Sequence, residues 1–287
     1  MIKLLALDLD GTLLNSRGEI SRKNLEAIAR AENAGVLVTI VTGRRFRDAR
    51  PVALELNLNA PLISHNGALT KFADTLETVN ASILPNETIR EILRVGKEFG
   101  ADAMLSSDPR GKGVLLYDRV SCENVPLQKY LAWSRRLHGD EAEEAVHHVA
   151  SLEAVLDDYE TVHVSFSGGC APMAELEMIL QSELGEKANV LTTVYNSLNF
   201  TLIDILPPDA TKGTGLARLA EFENLAPENV MAIGDNFNDL GMLEFAGCAV
   251  LMGNATPELL ASNRFYETLS NDENGVALAI ESFILGV

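Results

Sequence analysis

The sequence predicts an α/β protein in which a parallel sheet is interrupted by a separate α+β domain. Residues 1–82 and 200–287 alternate short apolar runs with amphipathic helical periods. Such alternation is typical of parallel strands joined by right-handed helical crossovers. Residues 83–199 follow a different pattern and lack the polar motifs of the flanking stretches, so we interpret them as an inserted domain.

The first stretch opens with an apolar run that fits a strand buried on both faces. Ser21 offers an N-cap to the next helix, which closes near Gly35. The predicted elements are a strand over 3–8, a helix over about 21–34, a strand over 36–41, a helix over about 46–56 and a short strand over 61–64.

The inserted domain mixes helical periods with strand-like runs. Its predicted helices cover 86–99, 126–137, 149–158 and 172–184, and its predicted strands cover 114–118 and 162–168. A further strand over 199–206 is predicted to lead the chain back to the first domain.

The α/β pattern resumes at Asp209. Thr256-Pro257-Glu258 is typical of a helix start, because it combines an N-cap, a proline at the first helical position and an acid in the first turn. The other predicted elements are helices over 212–223, 237–246 and 275–285 and strands over 230–233 and 248–252.

The charge balance limits the partners of this chain. Its 287 residues carry a net charge of −18, and 47% of them are hydrophobic, as in an ordinary globular protein. Sequence-independent nucleic-acid binding needs clustered Lys and Arg, so no nucleic-acid partner is expected. A phosphorylated substrate must be attracted by local cations, because the overall field repels it.

The cysteines and the apolar runs indicate a cytoplasmic protein without a membrane partner. The three cysteines, Cys122, Cys170 and Cys248, form no CxxC motif, and an odd number is a poor disulfide framework. The N-terminal apolar run is broken by acids and does not fit a signal peptide. No run approaches the roughly 20 apolar residues of a membrane helix.

Two carboxylates, Asp8 and Asp10, follow the first strand and are themselves followed by Gly11. In open α/β sheets, ligands bind at the carboxyl ends of the strands. Two close carboxylates repel each other, so a cation or a shared proton is expected between them. Oxygen ligands suit Mg²⁺, and we therefore predict a magnesium site here.

Three further polar segments follow a predicted strand or open a predicted helix of the same domain. They are Thr42-Gly43-Arg44, Lys212 in Ala210-Thr211-Lys212-Gly213, and Gly234-Asp235-Asn236-Phe237-Asn238-Asp239. Hydroxyls, free amides at a helix start and a lysine bind phosphoryl oxygens well. Phosphoryl transfer requires mainly such positioning and charge neutralisation. The nucleophile is then a carboxylate or water, since no Ser–His or Cys–His pairing is evident.

Each segment also has a plainer explanation when it stands alone. Asp8 and Asp10 could form a turn with Gly11, Thr42 could cap a helix, and Lys212 could be a surface lysine. The catalytic interpretation depends on all four segments occurring together at the ends of predicted strands.

The four segments resemble, in order, the four motifs of the haloacid dehalogenase superfamily. Asn66-Gly67-Ala68 and an insertion of more than 100 residues between the second and third motifs resemble the Cof-like branch, subclass IIB. The resemblance implies a Rossmann-like parallel-sheet core of residues 1–82 and 200–287 and an α+β cap domain of residues 83–199.

The resemblance also implies roles for individual residues. Asp8 would be the nucleophile, and Asp10 the general acid and base, with its backbone carbonyl facing the metal. Asp8, Asp10 and Asp235 would thus hold Mg²⁺, and Asp239 would support Lys212 or a metal-bound water. The phosphate-binding residues would be Leu9, Thr42, Gly43, Lys212 and Asn238. Asn236 stands where the family often has glycine, which leaves Asn236 as an alternative to Asn238.

The expected function is a Mg²⁺-dependent phosphatase for small phosphorylated metabolites such as sugar phosphates. Two alternatives remain at this point. A phosphomutase or phosphotransferase would pass the aspartyl phosphate to a second hydroxyl, and a non-catalytic sensor would only bind the metabolite. The substrate, the cap residues that select it and the oligomeric state are left open.

Overall fold

The chain forms an α/β protein, as the alternation of strands and helices predicts. The computed structural model describes residues 1–287, except for the side chain of Ser197. These residues fall into two compact units. The first comprises residues 1–44, 49–80 and 211–287, and the second comprises residues 45–48 and 81–210.

The first part of the chain supplies the early strands of the first unit. Its elements are β1 (Leu4–Leu7), α1 (Arg22–Asn33), β2 (Leu37–Ile40), α2 (Phe46–Glu55), β3 (Leu62–Ser64), β4 (Leu69–Lys71) and β5 (Thr78–Ala81). Ser21 caps α1 as predicted, because its side chain accepts a hydrogen bond from the Asn24 amide.

The middle of the chain builds the second unit. Its elements are α3 (Asn86–Phe99), β6 (Ala103–Ser107), β7 (Val114–Tyr117), α4 (Val125–His138), α5 (Ala142–Ala145), β8 (Val146–His148), β9 (Thr161–Gly168), α6 (Cys170–Leu184), β10 (Asn189–Tyr195) and β11 (Phe200–Leu206).

The last part of the chain returns to the first unit. Its elements are α7 (Lys212–Phe222), β12 (Val230–Gly234), α8 (Leu240–Phe245), β13 (Cys248–Leu251), α9 (Pro257–Ala261), β14 (Tyr266–Glu267) and α10 (Gly275–Ile280). None of the helices within the described residues has both the length and the apolar character needed to cross a bilayer.

A parallel sheet with the strand order β14-β13-β12-β1-β2 forms the centre of the first unit. Within it, β1 lies between β12 and β2 and pairs with β12 through Leu4 and Val230 and with β2 through Leu4 and Leu37. Every residue of β1 is buried, which explains why this strand has no polar position. Since β1, β2 and β12 are neighbours and parallel, the loops at their carboxyl ends meet at one edge of the sheet.

The second unit is built on a separate, mainly antiparallel sheet with the strand order β10-β11-β9-β6-β7-β8. One face packs against α3 and α6 through a large apolar cluster that includes Phe166, Ile92 and Leu176. The opposite face packs against α4 through a smaller cluster around Met104, Leu115 and Leu131. This unit is therefore an α+β structure, as the change of sequence pattern indicates.

Two sequence predictions for the second unit differ from the structure. The predicted helix over 149–158 is absent, and only Glu153–Val155 forms a short 3₁₀ turn, in a loop where the Leu152 amide binds the Asp118 carboxylate. The predicted boundary at 199/200 also differs from the observed division after Ala210. The reason is that β11 pairs with β9 and β10 and so belongs to the second sheet.

Candidate active site

Lys212 links two acids from different parts of the first unit. Its ammonium nitrogen lies 2.5 Å from Asp8 Oδ1 and 2.6 Å from Asp239 Oδ1. Asp8 directly follows β1, Lys212 is the first residue of α7, and Asp239 lies in the turn after β12. All three side chains are buried. The fold thus brings together three of the four motif segments.

The acidic side chains of this cluster outnumber its cations. Burial raises the pKa of Asp8 well above its usual range although Lys212 opposes the change, and Asp239 and Asp235 raise it further. Burial also raises the pKa of Asp235, to about 6, with a further contribution from Asp239. Burial disfavours the charged form of Lys212, but its two carboxylate partners outweigh this effect and raise its pKa. One lysine does not neutralise three acids, so the site favours an additional cation.

Asp235 is held over the turn that follows β1. The Thr12 hydroxyl donates a hydrogen bond to Asp235 Oδ1 at 2.9 Å. Gly11 has a φ of +86°, and a Cβ at this position would lie 2.5 Å from Asp235 Oδ2. Glycine is therefore required here both by the backbone conformation and by the approach of the carboxylate.

Asp239 organises the turn that carries Asp235. Its Oδ2 atom accepts hydrogen bonds from the backbone amides of Asp235 and Asn236, both at 2.9 Å, and its Oδ1 atom contacts Lys212. Because both oxygens already have protein partners, Asp239 serves mainly to fix Lys212 and the turn.

The donor set at this site fits a hard divalent cation. Asp8, Asp235 and Asp239 each offer a carboxylate oxygen, and these oxygens lie within 4.8 Å of one another. Oxygen ligands at this spacing suit Mg²⁺. Given the partners of Asp239, the oxygens of Asp8 and Asp235 are the better candidates.

The Asp10 carboxylate does not join this cluster. Arg44 Nε donates to Asp10 Oδ2 at 2.8 Å, and Arg44 NH2 donates to Asp10 Oδ1 at 2.6 Å. Arg44 thus supplies a positive charge to the Asp10 carboxylate, and the cation expected between Asp8 and Asp10 stays a prediction. The role of the Asp10 backbone carbonyl as a metal ligand stays a prediction.

The predicted phosphate-binding loop lies after β2. Thr42 is buried, and its hydroxyl accepts a hydrogen bond from the Arg44 amide at 3.1 Å, which leaves the hydroxyl proton available. Gly43 lies between them and is partly exposed. Leu9 is fully buried, and its carbonyl accepts from the Leu14 amide.

The two asparagines of the fourth motif have different partners. Asn236 Oδ1 accepts a hydrogen bond from the Phe237 amide at 2.8 Å and so caps the local turn. Asn238 Nδ2 donates to Asn66 Oδ1 at 3.2 Å. This geometry favours Asn238 over Asn236 as the residue directed towards the phosphate loop.

Sequence reasoning missed the contributions of Arg44 and Asn66. The sequence marks Arg44 as a candidate because it directly follows Thr42-Gly43. Its partner, Asp10, lies 34 residues away in the chain. Asn66 has a local signal in the Asn66-Gly67 pair, which favours a left-handed turn. The contact of Asn66 with Asn238 joins residues 172 positions apart and could not be read from spacing.

Comparison with known proteins identifies the family of this chain. The family model for haloacid dehalogenase-like hydrolases matches residues 5–280. A 5-amino-6-(5-phospho-D-ribitylamino)uracil phosphatase of Bacillus subtilis, YwtE, is 32% identical, with 99% of each chain covered. An HMP-PP phosphatase of Serratia proteamaculans is 25% identical over 90% of this chain and 86% of its own.

Solved structures give the same result. A haloacid dehalogenase-like hydrolase from Bacteroides thetaiotaomicron superposes with a TM-score of 0.79 at 28% identity, covering 98% of this chain and 99% of its own. The predicted family and fold class are confirmed: the chain belongs to the haloacid dehalogenase-like hydrolases and is an enzyme related along its whole length to phosphatases.

Proposed function

We propose that this enzyme is a Mg²⁺-dependent phosphatase that hydrolyses small phosphorylated metabolites through an aspartyl phosphate. The observation that carries the proposal is the buried bridge of Lys212 between Asp8 and Asp239, with Asp235 beside it. A carboxylate held by a lysine next to a cation site has the charge environment that a phosphoryl group requires.

In the first step, a carboxylate oxygen of Asp8 forms a bond to phosphorus while the bond from phosphorus to the leaving oxygen breaks. Asp10 donates a proton to that leaving oxygen, which departs as an alcohol. Lys212 keeps Asp8 oriented and neutralises charge on the phosphoryl oxygens, while Thr42, Gly43 and Asn238 bind those oxygens. The loop amide next to Leu9 is proposed to take part in the same way.

In the second step, water attacks phosphorus and Asp10 accepts its proton. The bond from phosphorus to Asp8 breaks, so inorganic phosphate leaves and the carboxylate is regenerated. Asp8, Asp235 and the Asp10 backbone carbonyl would hold Mg²⁺, which when bound lowers the negative charge around the phosphoryl group.

We further propose that residues 81–210 act as a cap that recognises the leaving group. The name of the Bacillus subtilis relative YwtE denotes a substrate with a phosphorylated ribityl chain. This supports sugar phosphates and related polyol phosphates as the substrate class. Free thiols at Cys122, Cys170 and Cys248 support a reducing, cytoplasmic location.

The test is a screen of phosphorylated metabolites together with p-nitrophenyl phosphate, with released inorganic phosphate as the readout. Activity that requires Mg²⁺ and is lost with EDTA supports the proposal and excludes the sensor. Absence of turnover on every substrate in the presence of Mg²⁺ would overturn it. Incorporation of ¹⁸O from labelled water into phosphate supports hydrolysis, whereas transfer to an added sugar without ¹⁸O uptake would indicate a phosphotransferase.

A further inference from the structure

We propose that the Asn66 side chain is an additional phosphate-binding group, whose amide nitrogen donates a hydrogen bond to the phosphoryl group. The proposal rests on the proposed phosphatase function and adds a residue that none of the four motifs contains. It is carried by the position of Asn66 between Gly43 and Asn238.

The backbone at Asn66 is held in an unusual conformation. His65, Asn66 and Gly67 have consecutive positive φ values of +51°, +49° and +95°. Asparagine and glycine tolerate the left-handed region better than other residues. Strained backbone of this kind concentrates at functional sites, where the surrounding structure maintains it.

The strained turn is attached to the predicted phosphate loop on both sides of Gly43. The His65 amide donates to the Arg44 carbonyl at 2.9 Å, and the Asn66 amide donates to the Thr42 carbonyl at 3.0 Å. These two hydrogen bonds fix the distance between Asn66 and Gly43. The side chain of Asn66 is therefore placed by the same loop that is proposed to bind phosphate.

The orientation of the Asn66 amide is determined by Asn238. Asn238 Nδ2 donates to Asn66 Oδ1, so the acceptor atom of Asn66 is occupied. The Asn66 Nδ2 group has no protein acceptor among the residues that the structure describes. It lies close to Gly43, because a Cβ on Gly43 would be 3.1 Å from Asn66 Nδ2.

A donor beside Gly43 that has no acceptor among the described residues is suited to an anionic oxygen. Asn66 is neutral, so it adds a hydrogen bond without competing with Lys212 for the two buried carboxylates. Asn66 also differs from a purely structural amide, which would use both its oxygen and its nitrogen in protein contacts. The phosphoryl group is the ligand that places an anion next to Gly43 and Asn238 together.

The experiment compares Asn66→Gly with the wild-type enzyme. Glycine keeps the left-handed conformation and removes only the amide. Inhibition by inorganic phosphate in the presence of Mg²⁺ measures binding, and p-nitrophenyl phosphate hydrolysis measures kcat and KM. We expect the phosphate inhibition constant to rise and kcat/KM to fall by about 10-fold or more, the range for a hydrogen bond to a charged group. The melting temperature should change little.

Two further variants sharpen the comparison. Asn66→Asp keeps the shape but replaces the donor by an anion, so it should weaken phosphate binding more than Asn66→Gly. Asn263→Gly is the matched control, because Asn263 has the same φ of +49° at an exposed position outside the site. It should leave phosphate inhibition unchanged.

The double variant Asn66→Gly with Asn238→Ala distinguishes phosphate binding by Asn66 from a role limited to holding Asn238. If Asn66 binds phosphate itself, Asn66→Gly weakens phosphate inhibition also in the Asn238→Ala background. If Asn66→Gly has no effect there, or has none in the wild-type background, the proposal is overturned. Failure of the proposed function would be visible separately, as absence of phosphate release by the wild-type enzyme.

Discussion

Arg44 binds both carboxylate oxygens of Asp10 through a forked pair of hydrogen bonds, at 2.8 and 2.6 Å. The two residues follow neighbouring strands, β1 and β2, so the pairing is a direct result of the strand order. A guanidinium fork matches the geometry of a carboxylate and fixes its orientation better than a single contact. Arg44 is thus placed to position the proposed general acid.

The first prediction concerns Arg44→Met. We expect kcat for an alkyl phosphate to fall by about 10- to 100-fold, because Asp10 loses its fixed orientation and a positioned acid contributes ~10²–10⁴-fold. Hydrolysis of p-nitrophenyl phosphate should fall less, since p-nitrophenolate leaves without a proton. The surface variant Arg22→Met is the control. An equal loss on both substrates would show that Arg44 does not act through Asp10.

The second prediction separates Asp8 from Asp10. Asp8→Asn should abolish phosphate release, because the amide lacks the carboxylate nucleophile that forms the bond to phosphorus in the proposed mechanism. Asp10→Asn should leave a trace of activity, lower by the ~10²–10⁴-fold that an acid and base contributes. Quantitative phosphate assays at equal protein concentration test this difference. The same residual activity in both variants would contradict the assigned roles.

The third prediction concerns the buried charge of Lys212. In Lys212→Met, the buried Asp8 and Asp239 lose their common cation, so we expect a loss of about 3–5 kcal/mol in the free energy of unfolding. Adding Asp239→Asn should restore part of this stability but not the activity. Urea unfolding of both variants provides the measurement. Similar stability of Lys212→Met and wild type would indicate that the carboxylates do not depend on this lysine.

Much of this site could be predicted because it depends on strand ends. Asp8 and Asp235 follow apolar runs whose burial is evident from sequence, and Lys212 opens a helix, so parallel strand order brings them together. The pairing of Asp10 with Arg44 could not be predicted, because the spacing of residues alone does not say which cation a carboxylate binds.

The second unit was less predictable for a different reason. β11 is an apolar run that looks like a core strand, and only its hydrogen bonds to β9 and β10 assign it to the second sheet. Short strands such as β8, with three residues, are too brief for periodicity to separate them from loops. The assignment of these strands to a sheet therefore depends on pairing partners distant in sequence, which local patterns do not reveal.

The fourth prediction tests the turn that carries Asn66. Gly67 has a φ of +95°, and a Cβ there would overlap the Thr211 carbonyl oxygen next to Lys212. Gly67→Ala should therefore reduce both stability and activity. Gly18→Ala is the matched control, because Gly18 has a φ of +76° but nothing within 4 Å of the added Cβ. Thermal unfolding and kcat/KM of both variants give the comparison, and equal effects would exclude the clash as the cause.

Asp204 provides the last prediction, in the second unit. Its Oδ1 atom lies 3.6 Å from His163 Nε2, and both side chains are buried. Burial raises the pKa of Asp204 from 3.8 to about 7. Burial, helped by Arg45, lowers the pKa of His163 from 6.5 to about 3. Both groups are therefore neutral in the folded protein at mildly acidic pH.

The pKa shifts of Asp204 and His163 make the stability of the fold depend on pH in opposite directions. The pKa of Asp204 is raised on folding. Its contribution to the free energy of unfolding is therefore fully present below about pH 4 and is lost as the pH rises to about 7. The pKa of His163 is lowered on folding. Its contribution to the free energy of unfolding is therefore present above pH 6.5 and is lost as the pH falls. Asp204→Asn removes only the first effect and leaves His163 in place.

We therefore expect Asp204→Asn to gain stability relative to wild type between pH 5 and 7, by up to about 1.4 kcal/mol per pH unit. Above pH 7 the difference should become constant, because Asp204 is then ionised in both the folded and the unfolded wild-type chain. Urea unfolding of both proteins at pH 5, 6, 7 and 8 measures the difference. A gap that does not change with pH would mean that Asp204 ionises normally in the folded protein, and that burial does not govern its charge.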